Sequence, residues 1–287
     1  MIAFYGQGGL GNQLFQYAAA RSLAHRLHID LVLDPYWFKH PRPGETVRPL
    51  ELTNYHVKLR IANTDEQRRW KLLRTRWARY LGPLLPIQVV RERGFAYNDS
   101  FNRTADDSYL VGAWQSERYF REIREILLGE LTPIQPPSIQ DTELLQAMQA
   151  CDAICVHVRR GDYVSSNSAS AYHGVCSLDY YERAIKHVAS QVRSPSLFIF
   201  SDDPDWTREH LHTEYPSHYV THNSSTDAFQ DLRLMSYCKH HVIANSSFSW
   251  WGAWLSTSPE QIVVAPEKWF SVSRPTPDLL PPKWKRL

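Results

Sequence analysis

Short apolar runs alternate with longer stretches of helical spacing along the chain, and that alternation predicts the architecture. Ile2 to Tyr5 reads as a strand, and Leu31 to Leu33, ending at Asp34, as a second. Between them Phe15, Ala18, Ala19, Ser22 and Leu23 fall on one helical face. This is a strand–turn–helix–strand unit of the doubly wound type. From Pro35 to about Asp107 the pattern is irregular, apart from Pro-rich turns and a basic helical stretch. "LTPIQPPSIQD" (Leu131 to Asp141) predicts a linker, because three prolines break any regular element. Beyond it four apolar runs recur: "AICVHV", "SLFIF", "HHVIAN" and "QIVVA". Each is short and nearly continuous, as expected of parallel strands buried on both faces. Helical patterns separate them, over Leu178 to Val192 and over Asp227 to Cys238, with Asp227 placed to cap the second. The expectation is two α/β domains with a cleft between them.

Ligands of open parallel sheets bind outside the carboxyl ends of the strands, so the residues after each run are the candidates for chemistry. "AICVHV" is followed by Arg159, Arg160, Gly161 and Asp162, and "SLFIF" by Ser201, Asp202 and Asp203. "HHVIAN" ends at Asn245 and leads through Ser246 and Ser247 into a helical "FSWWGAWLS". Arginine grips phosphate bidentately. A helix start at Ser246–Ser247 offers backbone N–H groups to an anion, although a serine there is also an ordinary N-cap. "SDDPD" has three readings: a solvated turn, a metal pair through Asp203 and Asp205, or a carboxylate accepting from the edge of a guanine. His157, inside the strand, is either a core histidine or a general base.

Composition narrows the classes. A net charge of +2 gives no field that marks a nucleic-acid binder. The four cysteines lack C-x-x-C pairing, which argues against zinc and against a disulfide framework and fits a reducing compartment. No run approaches the roughly 18 apolar residues of a membrane span. Met1 leads straight into a strand pattern without a leader, so the expectation is a cytoplasmic protein. "QRRWKLLRTRWARY" (Gln67 to Tyr80) has two readings: a basic helix peripheral to the inner membrane, or a helix packing its Trp face on the first domain. Ten Trp and fifteen Tyr suit sugar stacking but also fill cores.

Two rival functions follow from single features. Gly6, Gly8 and Gly11 spell G-x-G-x-x-G, with Asp34 about twenty residues on, which is the pattern of an NAD-binding turn. The aromatic content alone would suit a noncatalytic sugar-binding protein. Neither accounts for the charged and polar groups at three strand ends.

"GGLGNQLFQYA", "HVRRGDYV", "SDD" and "NSSFSWWGAWL", in that order, resemble the bacterial α-1,2-fucosyltransferases of glycosyltransferase family 11. The blocks bracket positions 8 to 255, with Leu14 where similar sequences often carry Met. The resemblance implies an α/β fold of GT-B type, two Rossmann-like domains facing across a cleft. It implies inverting transfer of fucose from GDP-β-L-fucose to the 2-hydroxyl of a β-galactoside, with no metal required. Residues 1–135 would form the acceptor-side domain and residues 136–287 the GDP-fucose-binding domain. Acceptor choice would then sit in the unmatched region from Pro35 to Asp107.

Carried onto the matching positions, Arg159 and Arg160 would hold the pyrophosphate, each charge-assisted bond contributing about 1.5–3 kcal/mol. The helix start from Asn245 through Ser246, Ser247 and Phe248 would add roughly 0.3–2 kcal/mol. Asp202 or Asp203 would read guanine, and Asp162 and His157 are the candidates for the base, beside Arg159. Asn12 and Gln13 would be presented at a helix start facing the cleft.

Overall fold

The computed structural model describes residues 1–40, 48–75, 87–161, 174–224 and 226–287. The chain divides into two compact units, 1–134 with 275–279, and 135–274 with 280–287. Residues 275–279 thus rejoin the first unit late in the chain.

The first unit runs β1 (Ile2–Tyr5), α1 (Leu10–Leu27), β2 (Leu31–Asp34), α2 (Tyr36–Lys39) and β3 (Arg60–Ile61). It continues with α3 (Thr64–Arg69), β4 (Gln88–Arg91), β5 (Ser108–Val111) and α4 (Arg124–Glu130). Its strands form one parallel sheet in the order β3-β2-β1-β5-β4. The order reverses between β1 and β5, so the carboxyl ends of these two strands are this unit's switch point.

The second unit runs α5 (Ile139–Gln149), β6 (Asp152–Val158), α6 (Leu178–Ala189), β7 (Pro195–Ser201), α7 (Pro204–His210) and β8 (Ser217–Val220). It ends with α8 (Ala228–Tyr237), β9 (His240–Val242), α9 (Ser247–Trp254), β10 (Val263–Ala265) and β11 (Lys285–Arg286). The sheet is again parallel, in the order β11-β10-β9-β6-β7-β8, with its reversal between β6 and β9. One face of β6 and β7 packs Ile154, Val156, Leu197 and Ile199 against Tyr181 and Ile185 of α6. The other packs Cys155, Phe198 and Phe200 with Leu234 and Met235 of α8 and with Met148 of α5. Cover on both faces is why these strands read as continuous apolar runs.

Several expectations change. The stretch from Pro35 to Asp107 is not irregular throughout, since β3 and β4 both lie in it. β3 is two exposed residues and β4 a half-exposed edge strand, and neither carries the apolar run that marks a central strand. The linker reading fails at its far end. Ser138 and Asp141 form a capping box in which Ser138 Oγ accepts from the Asp141 N–H at 3.0 Å, starting α5. Asp227 stands at the N-cap of α8, but its carboxylate accepts from Ser224 Oγ at 2.6 Å instead of capping the helix.

The basic stretch also resolves in part. Trp70 and Leu73 are buried with Ala3, Val32 and Tyr109 in the first unit's core, as the packing reading required. Trp77 lies outside the described residues. The membrane reading loses those two anchors. Among the described residues no helix is long and apolar enough to cross a membrane.

The opening turn is tight. Gly8 has φ +79°, and a Cβ there would come within 2.7 Å of Asn12 Nδ2, so the left-handed conformation and the close approach both call for glycine. Asp34 closes β2 and is fully buried. It accepts from Arg74 Nε at 2.7 Å, from Arg74 Nη2 at 3.0 Å and from the Tyr109 hydroxyl at 2.5 Å. The Tyr36 N–H takes the remaining site at 3.1 Å, so the carboxylate has no lone pair to offer a ribose, which removes the NAD reading. Deleting it would strand a buried guanidinium, so Asp34→Ala should cost about 3–5 kcal/mol of stability in urea unfolding. A loss under about 1 kcal/mol would contradict this account of the site.

Candidate active site

Three adjacent strands, β9, β6 and β7, bring their carboxyl ends together at the second unit's switch point. Arg159, Arg160 and Gly161 leave β6, Asp202 and Asp203 leave β7, and Asn245 and Ser246 lead from β9 into α9. Asp202 ties the first two ends together. Its Oδ2 lies 3.2 Å from Arg159 Nε, and its Oδ1 accepts the Arg160 backbone N–H at 2.8 Å. The Gly161 N–H also donates to this carboxylate. Burial pushes the Asp202 carboxyl up, but the Arg159 charge and these two N–H groups outweigh it and hold it below its ordinary range.

Arg160 is held differently. Its Nε is 3.5 Å from Asp203 Oδ2, too long for a strong hydrogen bond, while its guanidinium carbon lies 4.1 Å over the Trp206 ring. Both arginine side chains remain about a quarter exposed, at 22% and 25%, so they can still reach an anion.

His157 is buried, with Nδ1 2.7 Å from Ser249 Oγ, and Ser249 Oγ in turn accepts the Ala244 N–H at 3.0 Å. Burial, reinforced by the Arg159 charge, pushes the imidazole down to about 4. Its burial and its contact with Ser249 are those of a hydrogen-bonded core histidine, and the lowered basicity makes it a weak proton acceptor near pH 7. Asp162, the other candidate base, lies outside the described residues.

Asn245 is buried. Its Nδ2 donates to Gly174 O and Trp269 O, both at 3.2 Å, and its Oδ1 accepts from Cys176 Sγ at 3.4 Å, so it organises the loops beside the helix start. Ser246 caps α9 without a side-chain bond to it. The N–H groups of Ser247 and Phe248 are among the first of α9, which lack acceptors within the helix. Farther along, Trp250 and Trp251 are fully buried, so these aromatics fill the core and are not sugar platforms.

Asp203 sits beside Arg160, and Asp205 is 98% exposed and 3.9 Å from Arg208, so the two do not converge on a cation. Among the described residues no group of three or more His, Cys, Asp or Glu is placed to hold a metal ion.

In the first unit Asn12 and Gln13 part company. Gln13 is fully buried; its Nε2 donates to Gly8 O and Pro49 O, both at 2.9 Å, and its Oε1 accepts the Glu51 N–H at 2.9 Å. It therefore pins the 49–51 segment to the glycine turn, with both amide N–H donors spent and the side chain closed off from a ligand. Asn12 is half-buried and accepts from Gln115 Nε2 at 2.8 Å, across the β1–β5 switch point. Trp206 and Ser249 also belong to the site, although neither falls within the strand-end residues marked by the sequence pattern. An aromatic three residues after Asp203 and a serine on the inner face of the "SFSWW" helix were the available signals.

The chain folds as two Rossmann-like α/β units, the α/β fold of GT-B type, with paired arginines at the switch point of the second. Residues 96–285 match glycosyl transferase family 11, and the chain belongs to that family. The chain is 31% identical to the O-antigen biosynthesis glycosyltransferase WbnK of Escherichia coli, over 92% of this chain and 93% of that one. It is 32% identical to an alpha-1,2-colitosyltransferase of Escherichia coli, over 98% of this chain and 96% of that one. A galactoside 2-alpha-L-fucosyltransferase of Caenorhabditis elegans is 27% identical over 61% of this chain and 51% of its own. Among solved structures, a mutant of Arabidopsis thaliana FUT1 in complex with GDP shares the fold with a TM-score of 0.51 and 12% identity. That match covers 93% of this chain and 71% of the plant one.

The His157 environment fixes a pH dependence. Its folded value of about 4 lies below the ordinary 6.5, so the unfolded chain binds the extra proton between those limits. Stability is therefore unaffected by His157 above that window and falls as pH drops through it. His157→Gln should reduce the acid-side slope of unfolding free energy by up to about 1.4 kcal/mol per pH unit between pH 6.5 and 4. His241, pushed to about 4 by burial, would supply slope that the variant retains. An unchanged slope would contradict the assignment.

Proposed function

We propose that the protein transfers L-fucose from GDP-β-L-fucose to the 2-hydroxyl of a β-galactoside with inversion, forming an α-1,2 linkage without a metal ion. One observation carries the reading: two half-buried arginines stand at the switch point of the second sheet, at the end of the strand beside the one that leads into α9. In the transfer the acceptor 2-oxygen bonds to C1 of the sugar as the bond from C1 to the β-phosphate oxygen breaks. The pyrophosphate leaves with the electron pair, and the hydroxyl proton passes to a base or to solvent. Arg159 and Arg160 neutralise the charge that grows on the departing GDP, aided by the N–H groups of Ser247 and Phe248.

Asp202 is committed to holding the arginine loop, which leaves Asp203, with its side chain 37% exposed, as the better candidate for the guanine edge. Asp162 remains the candidate base, since His157 is poorly basic. With Asp203 beside Arg160 and Asp205 beside Arg208, the arginines take the role that a divalent cation plays elsewhere. Asn12, half-exposed at the first unit's switch point, is the one of the opening pair left to meet a ligand.

The 32% identity to a colitosyltransferase favours a second donor, nucleotide-activated colitose, which is 3-deoxy-L-fucose. The two differ by one hydroxyl, so a site that hydrogen-bonds that group would discriminate strongly and an apolar one weakly.

Incubation with GDP-β-L-fucose and a β-galactoside panel, read by NMR, should give a fucose α-linked at O2. No product with fucose, but product with the activated 3-deoxy sugar, would move the reading to the second donor. Transfer should persist in excess EDTA; abolition with rescue by Mn²⁺ would refute metal independence. Arg159→Ala and Arg160→Ala should each lower the rate by ~10²–10³, as loss of one oxyanion donor does. Near-normal turnover in both would remove the arginines from the mechanism.

A further inference from the structure

We infer that Trp206 is a positioning residue for the donor site, an aromatic shelf that orients Arg160 toward the pyrophosphate without neutralising it. The inference rests on the nucleotide reading above and assigns a role to a side chain that reading leaves unused.

The two arginines are supported by opposite chemistries. Arg159 has a carboxylate 3.2 Å from its Nε, from a residue that also binds the loop backbone. Arg160 has Asp203 only at 3.5 Å, from a side chain 37% exposed, so that pair is screened and leaves the orientation of the long side chain loose. What lies against its guanidinium is the Trp206 ring, 4.1 Å from the guanidinium carbon to the centroid. A carboxylate partner fixes an arginine but offsets part of its charge. An aromatic face fixes it through a quadrupole and leaves the full charge for an incoming anion.

The shelf is itself anchored. Trp206 lies in α7, and its ring packs against the core cluster that lines β6, β7 and α6. His210, one turn on, stacks on it at 4.6 Å between ring centroids and 14° between planes, with its Nδ1 2.9 Å from Trp206 O. The start of α7 is pinned to the end of β7, because Thr207 Oγ1 lies 2.8 Å from both Ser201 Oγ and Asp203 O. Pro204 in the first turn stiffens the entry. The Trp206 ring is therefore fixed to the strand end that also carries Asp202 and Asp203.

The test is GDP binding to the purified protein by calorimetry, which needs no acceptor. Trp206→Leu should weaken GDP about tenfold, whereas Trp206→Phe, which keeps an aromatic face, should stay within about threefold. In an Arg160→Ala background, Trp206→Leu should cost less than about twofold, since the group it orients is gone. A merely structural role would give the same loss in both backgrounds, as would an indole that stacks the base itself, and either overturns the inference. Equal losses in the Phe and Leu variants overturn it as well. Failure of the unaltered protein to bind GDP, or normal binding by Arg160→Ala, would overturn the underlying nucleotide reading. A defect in Arg160→Ala that is uncoupled from Trp206 overturns the shelf alone.

Discussion

The Asp202 carboxylate is the interaction on which the second unit's site depends. It joins the ends of β6 and β7 by meeting Arg159 Nε and the backbone N–H groups of Arg160 and Gly161. A carboxylate that satisfies two backbone donors and one guanidinium at once fixes both the path of the loop and the place of its charge. Gly161 permits the approach, since a Cβ there would come within 3.1 Å of Asp202 Oδ2. Protonating or removing Asp202 would release the 159–161 backbone and the Arg159 side chain together. Its depressed ionisation confines protonation to pH values below the ordinary carboxylate range, well away from neutral conditions.

The first unit solves a similar problem with neutral groups. Gln13 binds the glycine turn and the 49–51 segment through three hydrogen bonds to backbone. Glu51, which that clasp places, is buried, and burial pushes its carboxyl up to about 7. Its carboxylate accepts the Leu10 N–H at the start of α1, where the helix N-terminus favours negative charge. The opening G-x-G-x-x-G motif is thus a strand-to-helix turn of the dinucleotide kind in backbone only. Asp34, which would bind ribose in such a site, is spent on Arg74 and Tyr109.

What could be read from the sequence follows a physical line. Central strands covered on both faces announce themselves as continuous apolar runs, so β1, β2, β6, β7, β9 and β10 were legible. The edge strands β3, β8 and β11 were not, because a half-exposed strand of two to four residues carries little pattern. β4, also an edge, was missed on the same ground, since "QVVR" is partly exposed; β5 is the exception, a buried central strand whose "SYLV" is too short, and too far from a clear helix, to stand out. Charged groups at strand ends were legible because buried parallel strands leave few other places for them. The division of labour among those groups was not. Whether Asp202 meets a base or an arginine, and whether His157 is free to take a proton, depends on neighbours distant in sequence, such as Ser249 and Trp206.

The account makes charge at the end of β6 the determinant of donor binding, and the phosphate count of the nucleotide tests it most directly. Titration with GDP and with GMP under identical salt should show GDP bound at least about tenfold tighter, as one charge-assisted contact of about 1.5 kcal/mol requires. That preference should vanish in the Arg159→Ala, Arg160→Ala double variant. Equal affinity of the unaltered protein for GDP and GMP would contradict the claim that the paired arginines hold a pyrophosphate.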